Sequence, residues 1–278
     1  ALKSNNTAGK ADVQVKTSQN DRKADAAKTS VENGVLANSE AVKEKTDDKD
    51  TSDTTKKTET AEERIARVRQ EAVTAGYPEK VIELLDKNPE TVQFVEDYGK
   101  KKDQAPAATV EAEDGYSGMF PEILQWDERW GYSPYGTSII AVSGCGPTCV
   151  SMLVVGLTGD KTVTPSVVAD YATQNHYVDE NNDTTWAFMT SGVEHWGLTC
   201  RESNGNESEI AKELEAGHPV ICSMRPGDFT DIGHFIILTS YNNGNVTICD
   251  PFSLENSKKS WNYSQISSQI KAVWVYSK

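Results

Sequence analysis

Apolar positions are unevenly distributed along the chain, and the longest stretch that lacks them is N-terminal. Residues 1–59 consist mainly of Lys, Asp, Thr, Ser, Asn and Ala with charges of both signs, and the first aromatic residue is Tyr77. A segment of this composition buries too little apolar surface to offset the entropy lost on ordering. We therefore predict that residues 1–59 form a disordered tether.

Helical spacing of apolar residues begins next and predicts a small helical segment over residues 60–100. Thr60 opens a capping box, which marks the start of a helix. Pro78 and Pro89 fit the first turns of two further helices, and Gly99 fits the end of the last one. The pattern leaves three uses open for this segment: an inhibitory segment, a wall-binding unit or a spacer.

The composition of residues 101–114 predicts a linker. The main domain is predicted over residues 115–278, where helical patterns come first and strand patterns follow. The helices are predicted at about 146–156, 165–174, 184–196 and 206–216, and the strands at 219–224, 234–241, 246–249 and 272–276. Asn243-Gly244 between two strands indicates a β-hairpin. Helices followed by an antiparallel sheet predict an α+β fold.

The charge balance limits the classes of partner. The net charge is −14, and an acidic surface repels phosphate backbones, so we expect no nucleic-acid binding. The sequence has no run of about 18 apolar residues, so we expect neither a membrane span nor an attached transporter. Residues 1–59 resemble the spacer that often follows a removed signal peptide, which predicts an extracellular or cell-surface location. We expect a monomer without a cofactor.

One acidic loop has the spacing of a calcium site. Asp179, Asn181 and Asp183 alternate as in the first part of a calcium-binding loop. Thr184 and Thr190 stand where such a loop needs Gly and Glu. A solvated loop is the better interpretation, and we predict no metal site.

Cys145 is the candidate nucleophile. It lies between Gly144 and Gly146 and directly before Pro147, which fits the first turn of an apolar helix. A cysteine at a helix N-terminus faces unsatisfied N–H groups that favour the thiolate, the nucleophilic form. Gly144 and Gly146 would leave room for a substrate backbone. The alternative is an ordinary small residue in a loop.

The candidate base is one of four histidines. His176 lies in a polar loop, His195 on a predicted helix and His218 in a turn before a strand. His234 begins an apolar strand directly after Gly233, where a base would be held rigidly and could face a helix N-terminus. We predict that His234 is the base; the alternative is a strand-end residue that serves structure alone.

The Asn243-Gly244 hairpin supplies a candidate orienting group for this imidazole. Antiparallel neighbours place the end of one strand beside the beginning of the other, so Asp250 is expected beside the start of the His234 strand. This placement favours Asp250 over Asp228 and Asp231.

The other four cysteines give no sign of catalytic chemistry. Cys149 is predicted on the apolar helix, and Cys200, Cys222 and Cys249 lie in or beside apolar strand patterns. We predict that all four are reduced core residues, with a disulfide among them as the alternative.

Five motifs occur together in the last part of the chain, and their order resembles the thirty-ninth family of cysteine peptidases. They are LQWDERWG at 124–131, SGCGPT at 143–148, GHPVI at 217–221, GHFI at 233–236 and CDP at 249–251. The best-known members are leader peptidases that process bacteriocins, and many others are stand-alone secreted bacterial proteins. The resemblance implies a papain-like fold and a Cys-His-Asp triad.

The resemblance also implies that Gln125 helps to hold the oxyanion beside the N–H of Cys145. Gln125 lies 20 residues before Cys145, a longer gap than in papain-like enzymes generally, so the intervening loop must double back. Substrate contacts are predicted at Gly144, Gly146, Trp126 and Gly233. The aromatic residues around Trp126 would wall a substrate groove or, equally well, pack the loop onto the core.

Three functions are consistent with these patterns. The first is an extracellular or cell-surface cysteine peptidase that cleaves peptides or proteins through a thioester. The second keeps the fold and chemistry but cleaves an amide in a peptidoglycan peptide. The third is a non-catalytic binding module, which the intact set of candidate catalytic residues disfavours.

Overall fold

Residues 58–111 and 115–278 are described by the computed structural model, and all of them belong to the same unit of the chain. The tether predicted for residues 1–59 lies outside the described residues except for its last two positions. Residues 112–114 of the predicted linker are also outside this range.

The segment predicted as helical contains four helices joined by tight turns. They are α1 (Ala61–Thr74), α2 (Glu79–Ile82), α3 (Leu84–Lys87) and α4 (Val92–Lys101), with a 3₁₀ turn at Pro89–Thr91 before α4. The predicted capping box is present, since the Thr60 hydroxyl accepts a hydrogen bond from the Glu63 N–H and the Glu63 carboxylate accepts one from the Thr60 N–H.

The prediction that Gly99 ends the last helix is wrong, because α4 continues to Lys101. A Cβ atom at position 99 would lie 2.5 Å from the hydroxyl oxygen of Tyr77, and this oxygen accepts a hydrogen bond from the Gly99 N–H at 3.0 Å. The glycine therefore allows Tyr77 to approach the helix, and it does not terminate it.

The helical segment shares an apolar core with the main domain. Phe94 stacks on Tyr132 with ring centroids 4.2 Å apart, and the Tyr132 hydroxyl donates a hydrogen bond to the Phe94 carbonyl oxygen at 3.0 Å. The buried residues of this cluster are Val68, Ala72, Val81, Leu84, Leu85, Phe94, Val95, Tyr132 and Ala141. Because Tyr132 and Ala141 belong to the main domain, the two parts bury each other's apolar surface.

We expect Phe94→Ala to lower the free energy of unfolding of the whole domain by about 3–5 kcal/mol, the usual cost of emptying a buried phenylalanine site. A single thermal transition at a lower temperature should result. The matched control is Val73→Ala on α1, whose side chain is 57% exposed. Two separate transitions, with only the first one shifted, would contradict a shared core.

The main domain begins with two short strand pairs and a group of helices. These elements are β1 (Tyr116–Ser117), β2 (Phe120–Pro121), β3 (Pro134–Tyr135), β4 (Ser138–Ile139), α5 (Ile140–Ser143), α6 (Cys145–Thr158), α7 (Pro165–Gln174) and α8 (Trp186–Thr190). The loop between Gln125 and Cys145 contains the β3–β4 hairpin and α5, so it doubles back as its length requires. The segment 184–196, predicted as one helix, is divided into α8 and a 3₁₀ helix at Gly192–Trp196.

An antiparallel sheet of six strands forms the second half of the domain. Its elements, with the interposed helices, are β5 (Thr199–Ser203), α9 (Glu207–Glu215), β6 (Val220–Met224), β7 (His234–Asn242), β8 (Asn245–Cys249), α10 (Leu254–Ser257), β9 (Trp261–Asn262), α11 (Tyr263–Ser267) and β10 (Ile270–Ser277). The strand order is β5-β10-β6-β7-β8-β9, with antiparallel pairing throughout. The predicted α+β fold is confirmed.

Each face of the sheet packs against helices. On one face, Ile221, Phe235 and Ile237 lie in the cluster that contains the buried residues of α6 and α7. On the other face, Cys222 and Ile236 pack with side chains of α9 and α11. Neighbouring residues of a strand point to opposite faces, so β6 and the first half of β7 are buried at every position. α6 is thereby fixed against the strand that carries His234.

The edge strand β5 was not among the strands predicted with bounds, although Cys200 within it was placed in or beside a strand pattern. Its sequence, Thr-Cys-Arg-Glu-Ser, has only exposed and half-buried positions, so it lacks the apolar alternation that identifies a strand. Pairing with β10, not local pattern, places this segment in the sheet. Across residues 58–111 and 115–278, no helix has both the length and the apolar character that a membrane span requires.

Candidate active site

The nucleophile candidate is the first residue of α6. Cys145 is half-buried, whereas the ten residues that follow it, Gly146–Val155, are all buried. The opening N–H groups of a helix have no acceptor within the helix, and they carry its positive end. The half-buried Cys145 therefore stands at the positive end of a helix whose following residues are buried.

The two glycines beside Cys145 are explained by contacts inside the protein. A Cβ atom at position 144 would lie 2.5 Å from the Ile140 side chain and 2.6 Å from its carbonyl oxygen. A Cβ atom at position 146 would lie 2.3 Å from the Thr184 hydroxyl oxygen, which is hydrogen-bonded to the Tyr135 hydroxyl at 2.6 Å. The chain's own atoms fill this space, and a role of Gly144 and Gly146 in binding substrate stays a prediction.

His234 opens β7 with a side chain that is only 7% exposed. Its Nε2 atom lies 2.7 Å from Oδ1 of Asp250. Burial lowers the pKa of His234, but the charge and hydrogen bond of Asp250 and the neighbouring Cys145 together raise that pKa above its usual value. With Nε2 bound to Asp250, Nδ1 is the ring nitrogen that remains for Cys145. The three predicted triad residues are thus brought together.

Asp250 directly follows β8 and is 2% exposed. Its Oδ1 atom also accepts hydrogen bonds from the backbone N–H groups of Phe252 at 2.8 Å and Ser253 at 3.3 Å. Its Oδ2 atom accepts one from the Asn256 side chain at 2.9 Å. These donors hold the carboxylate in one orientation, with Oδ1 toward His234.

The pairing of β7 and β8 accounts for this meeting. Asn242 faces Asn245 across the Asn243-Gly244 turn, and Cys249 faces Ile237 further along. Asp250 therefore continues toward the start of β7, as the hairpin predicted. The Asp-Pro sequence that follows β8 favours the turn in which the Asp side chain bonds the next N–H groups.

Gln125 lies beside both the loop that follows Asp250 and the helix α5 that precedes the nucleophile. Its backbone N–H donates to the Pro251 carbonyl oxygen at 2.7 Å, and its side-chain Nε2 donates to the Ala141 carbonyl oxygen at 2.9 Å. Its Oε1 atom is buried and has no hydrogen-bond partner among the described residues. The residue joins the sequence before Cys145 to the sequence after Asp250, and its oxyanion role stays a prediction.

The aromatic residues around Trp126 belong to the core. Trp130, Tyr132 and Tyr135 are buried, and Trp126 packs against the helical segment while its Nε1 atom donates to the Phe252 carbonyl oxygen at 2.8 Å. These contacts match the packing interpretation of the aromatic residues. Gly233, by contrast, is exposed, and a Cβ atom there would meet nothing closer than 3.9 Å.

The other predicted alternatives lie apart from the triad. His218 is 40% exposed and forms a surface pair with Glu213 at 2.8 Å, a carboxylate that sequence reasoning did not assign to it. His195 stacks on Tyr171 with ring centroids 4.1 Å apart. Among the described residues, no group of acidic, His or Cys side chains is arranged to hold a metal ion.

All five cysteines are free, and four of them lie in environments that disfavour the thiolate. Burial raises the pKa of Cys149, Cys222 and Cys249, and it raises the pKa of Cys200 to about 11. Cys149 is also hydrogen-bonded to the Phe235 carbonyl oxygen at 3.4 Å.

We expect iodoacetamide to alkylate Cys145 at least about tenfold faster than any other cysteine near neutral pH, because alkylation requires an accessible thiolate. Time-resolved labelling followed by peptide mapping measures all five rates in one sample. Labelling of Cys200, the other half-buried thiol, at the rate of Cys145 would contradict this assignment.

Two solved structures are similar to this chain in part. The peptidase domain of Streptococcus ComA, a bi-functional ABC transporter involved in a quorum sensing pathway, has 12% identity and a TM-score of 0.38, with 49% of this chain and 92% of that chain covered. A protein described as a C39-like peptidase from Bacillus anthracis has 16% identity and a TM-score of 0.32, with 61% of this chain and 97% of that chain covered.

The curated proteins provide no match. The model of the Peptidase_C39 like family, in contrast, matches residues 119–278. The matched region contains Cys145, His234, Asp250 and Gln125, and it extends over more than half of the sequence. The chain therefore belongs to the Peptidase_C39 like family, whose members resemble papain-like cysteine peptidases.

Proposed function

We propose that the protein is a cysteine peptidase that hydrolyses peptide bonds through a thioester intermediate on Cys145. The observation that carries this proposal is the hydrogen bond between His234 and Asp250 beside the candidate nucleophile. His234 bonds the buried Asp250 through Nε2 and neighbours Cys145 at the start of α6. Acyl transfer by a cysteine requires a thiol, a base beside it and a carboxylate that orients the base.

In the proposed acylation step, the Cys145 thiolate attacks the carbonyl carbon of the scissile bond and forms a C–S bond. The oxyanion would be stabilised by the Cys145 N–H and, if its amide turns from Ala141, by Gln125. The His234 imidazolium gives its proton to the leaving nitrogen as the C–N bond breaks. An amine and a thioester result.

In the proposed deacylation step, neutral His234 accepts a proton from water while the water oxygen attacks the thioester carbonyl. Breaking of the C–S bond releases a carboxylic acid and restores the thiolate–imidazolium pair. Asp250 keeps the imidazole oriented in both steps and stabilises its charged form. A non-catalytic binding module would not need this arrangement.

The substrate class is the finer part of the proposal. We propose a peptide or protein substrate that is met outside the cell or at its surface, in keeping with the polar composition of residues 1–59. The alternative is an amide in a peptidoglycan peptide, for which the same chemistry would serve. Cell fractionation with an antibody against the protein tests the location.

Mass spectrometry tests the activity. The protein is incubated with a peptide library and, separately, with muropeptides, each beside the Cys145→Ala variant. New termini in the peptide library that depend on Cys145 would support the proposal, and cleavage of muropeptides alone would replace it by the alternative. Identical product patterns for the two proteins in both mixtures would overturn it.

A further inference from the structure

The turn between α3 and α4 packs against the segment that follows Asp250. The Asn88 side-chain Nδ2 atom donates to the Phe252 carbonyl oxygen at 2.6 Å. The Glu90 carboxylate accepts hydrogen bonds from the N–H groups of Leu254 at 3.1 Å and Glu255 at 3.2 Å. These contacts join positions more than 160 residues apart, since Asn88 and Phe252 are separated by 164.

Hydrogen bonds within the turn define its conformation. Asn88 is 6% exposed; its Oδ1 atom accepts from the Glu90 N–H at 2.9 Å, and its Nδ2 atom also donates to Glu90 Oε2 at 3.0 Å. Thr91 is fully buried, and its hydroxyl donates to the Asn88 carbonyl oxygen at 2.7 Å. Asn88 and Glu90 therefore present a preformed pair of donor and acceptor groups to the loop.

The same short loop holds the triad carboxylate. Asp250 Oδ1 accepts from the Phe252 and Ser253 N–H groups, while Asn88 and Glu90 bind the Phe252 carbonyl oxygen and the next two N–H groups, those of Leu254 and Glu255. The Phe252 ring also lies edge-on to the His234 ring, with centroids 6.4 Å apart. A shift of the loop away from the helical segment would move the groups that orient Asp250 and pack on His234.

We propose that the Asn88–Glu90 turn is a positioning element of the triad, so that the helical segment is a working part of the enzyme. The inference rests on the proposed function and chooses among the three uses left open by the sequence. The contacts that Asn88 and Glu90 make with residues 252–255 hold the backbone that orients Asp250. An inhibitory segment would instead have to cover Cys145, and a spacer or wall-binding unit would not need these contacts.

The test is the pH dependence of iodoacetamide alkylation of Cys145, which needs no substrate. The variant is Glu90→Gln, which keeps the shape of the side chain but turns an N–H donor toward the N–H of Leu254 or Glu255 at the start of α10. The matched control is Glu96→Gln on α4, which removes a carboxylate that binds Arg64 and Arg67 within the helical segment. Thermal melting of each protein is recorded beside the labelling.

Glu90→Gln is expected to slow alkylation of Cys145 near neutral pH by about tenfold, the lower end of the effect of losing a group that orients a metal-binding side chain. The pH at which Cys145 becomes reactive should rise, because a loosened Asp250 stabilises the His234 imidazolium less and the thiolate loses its counter-ion. Glu96→Gln should retain the wild-type profile even where it lowers the melting temperature.

A second variant protects the test against simple misfolding. Asn88→Asp retains the Oδ1 acceptor but places an oxygen where Nδ2 faces the Phe252 carbonyl, and it should shift the profile in the same direction. Wild-type labelling profiles in both Glu90→Gln and Asn88→Asp would overturn the positioning role. Equal shifts in Glu96→Gln would show general destabilisation and overturn it as well. Slow, unselective labelling of the wild-type Cys145 would instead overturn the proposed function.

Discussion

Cys145→Ala is expected to reduce peptide hydrolysis by about 10⁶-fold, and His234→Ala by a similar factor. The thiol supplies the atom that bonds the substrate, and the imidazole supplies both proton transfers, so removing either one disables the whole unit. Initial rates on a cleaved library peptide measure the loss, and melting curves establish that the variants are folded.

Two matched controls separate the triad from the rest of the molecule. Cys149→Ala replaces a fully buried thiol on the same helix, and His218→Ala replaces an exposed histidine that pairs with Glu213. Both variants should keep most of the activity. An inactive His218→Ala protein together with an active His234→Ala protein would show that the base has been assigned to the wrong strand.

Asp250→Asn is expected to slow turnover by about 10²–10⁴-fold, less than loss of the nucleophile, since the orienting group does not touch the substrate. The substitution keeps the shape of the side chain but removes the charge that raises the pKa of His234. That pKa should therefore fall toward its usual value of 6.5.

The sign of the pH effect follows from the role of the imidazolium. Activity needs protonated His234, so it is lost as the pH rises through the pKa of this group. Because Asp250 raises that pKa, the wild type should remain active well above pH 6.5, and the alkaline limb of kcat/KM should move to lower pH in Asp250→Asn. An unchanged alkaline limb with a lower rate would contradict the electrostatic role of Asp250.

The part of the site that could be predicted from sequence depends on local signals. The Asn243-Gly244 dipeptide fixes a two-residue hairpin, and that hairpin alone brings Asp250 toward His234. Likewise, Gly-Cys-Gly-Pro before an apolar run marks a helix N-terminus and places Cys145 there. Each inference spans a short distance along the chain, and so the backbone geometry transmits it with little ambiguity.

The contacts that escaped prediction are long-range. Nothing near Asn88 or Glu90 in the sequence indicates that they bind the loop after Asp250, because that pairing depends on how the helical segment docks on the main domain. The edge strand β5 is recognisable only through its partner β10. Gly99 illustrates a related difficulty, since a glycine that allows a close approach has the same sequence signature as one that ends a helix.

The central claim is that Cys145 carries the acyl group of the substrate, and its most direct test is the mass of the protein quenched during turnover. The protein is mixed with a peptide nitrophenyl ester, quenched in acid within the first turnover and examined intact, then after digestion. We predict a mass increase equal to the acyl part of the peptide, located on Cys145 and absent from Cys145→Ala. Two results would contradict the account. One is an active enzyme with the acyl group on a residue other than Cys145, and the other is release of nitrophenol by Cys145→Ala at the wild-type rate.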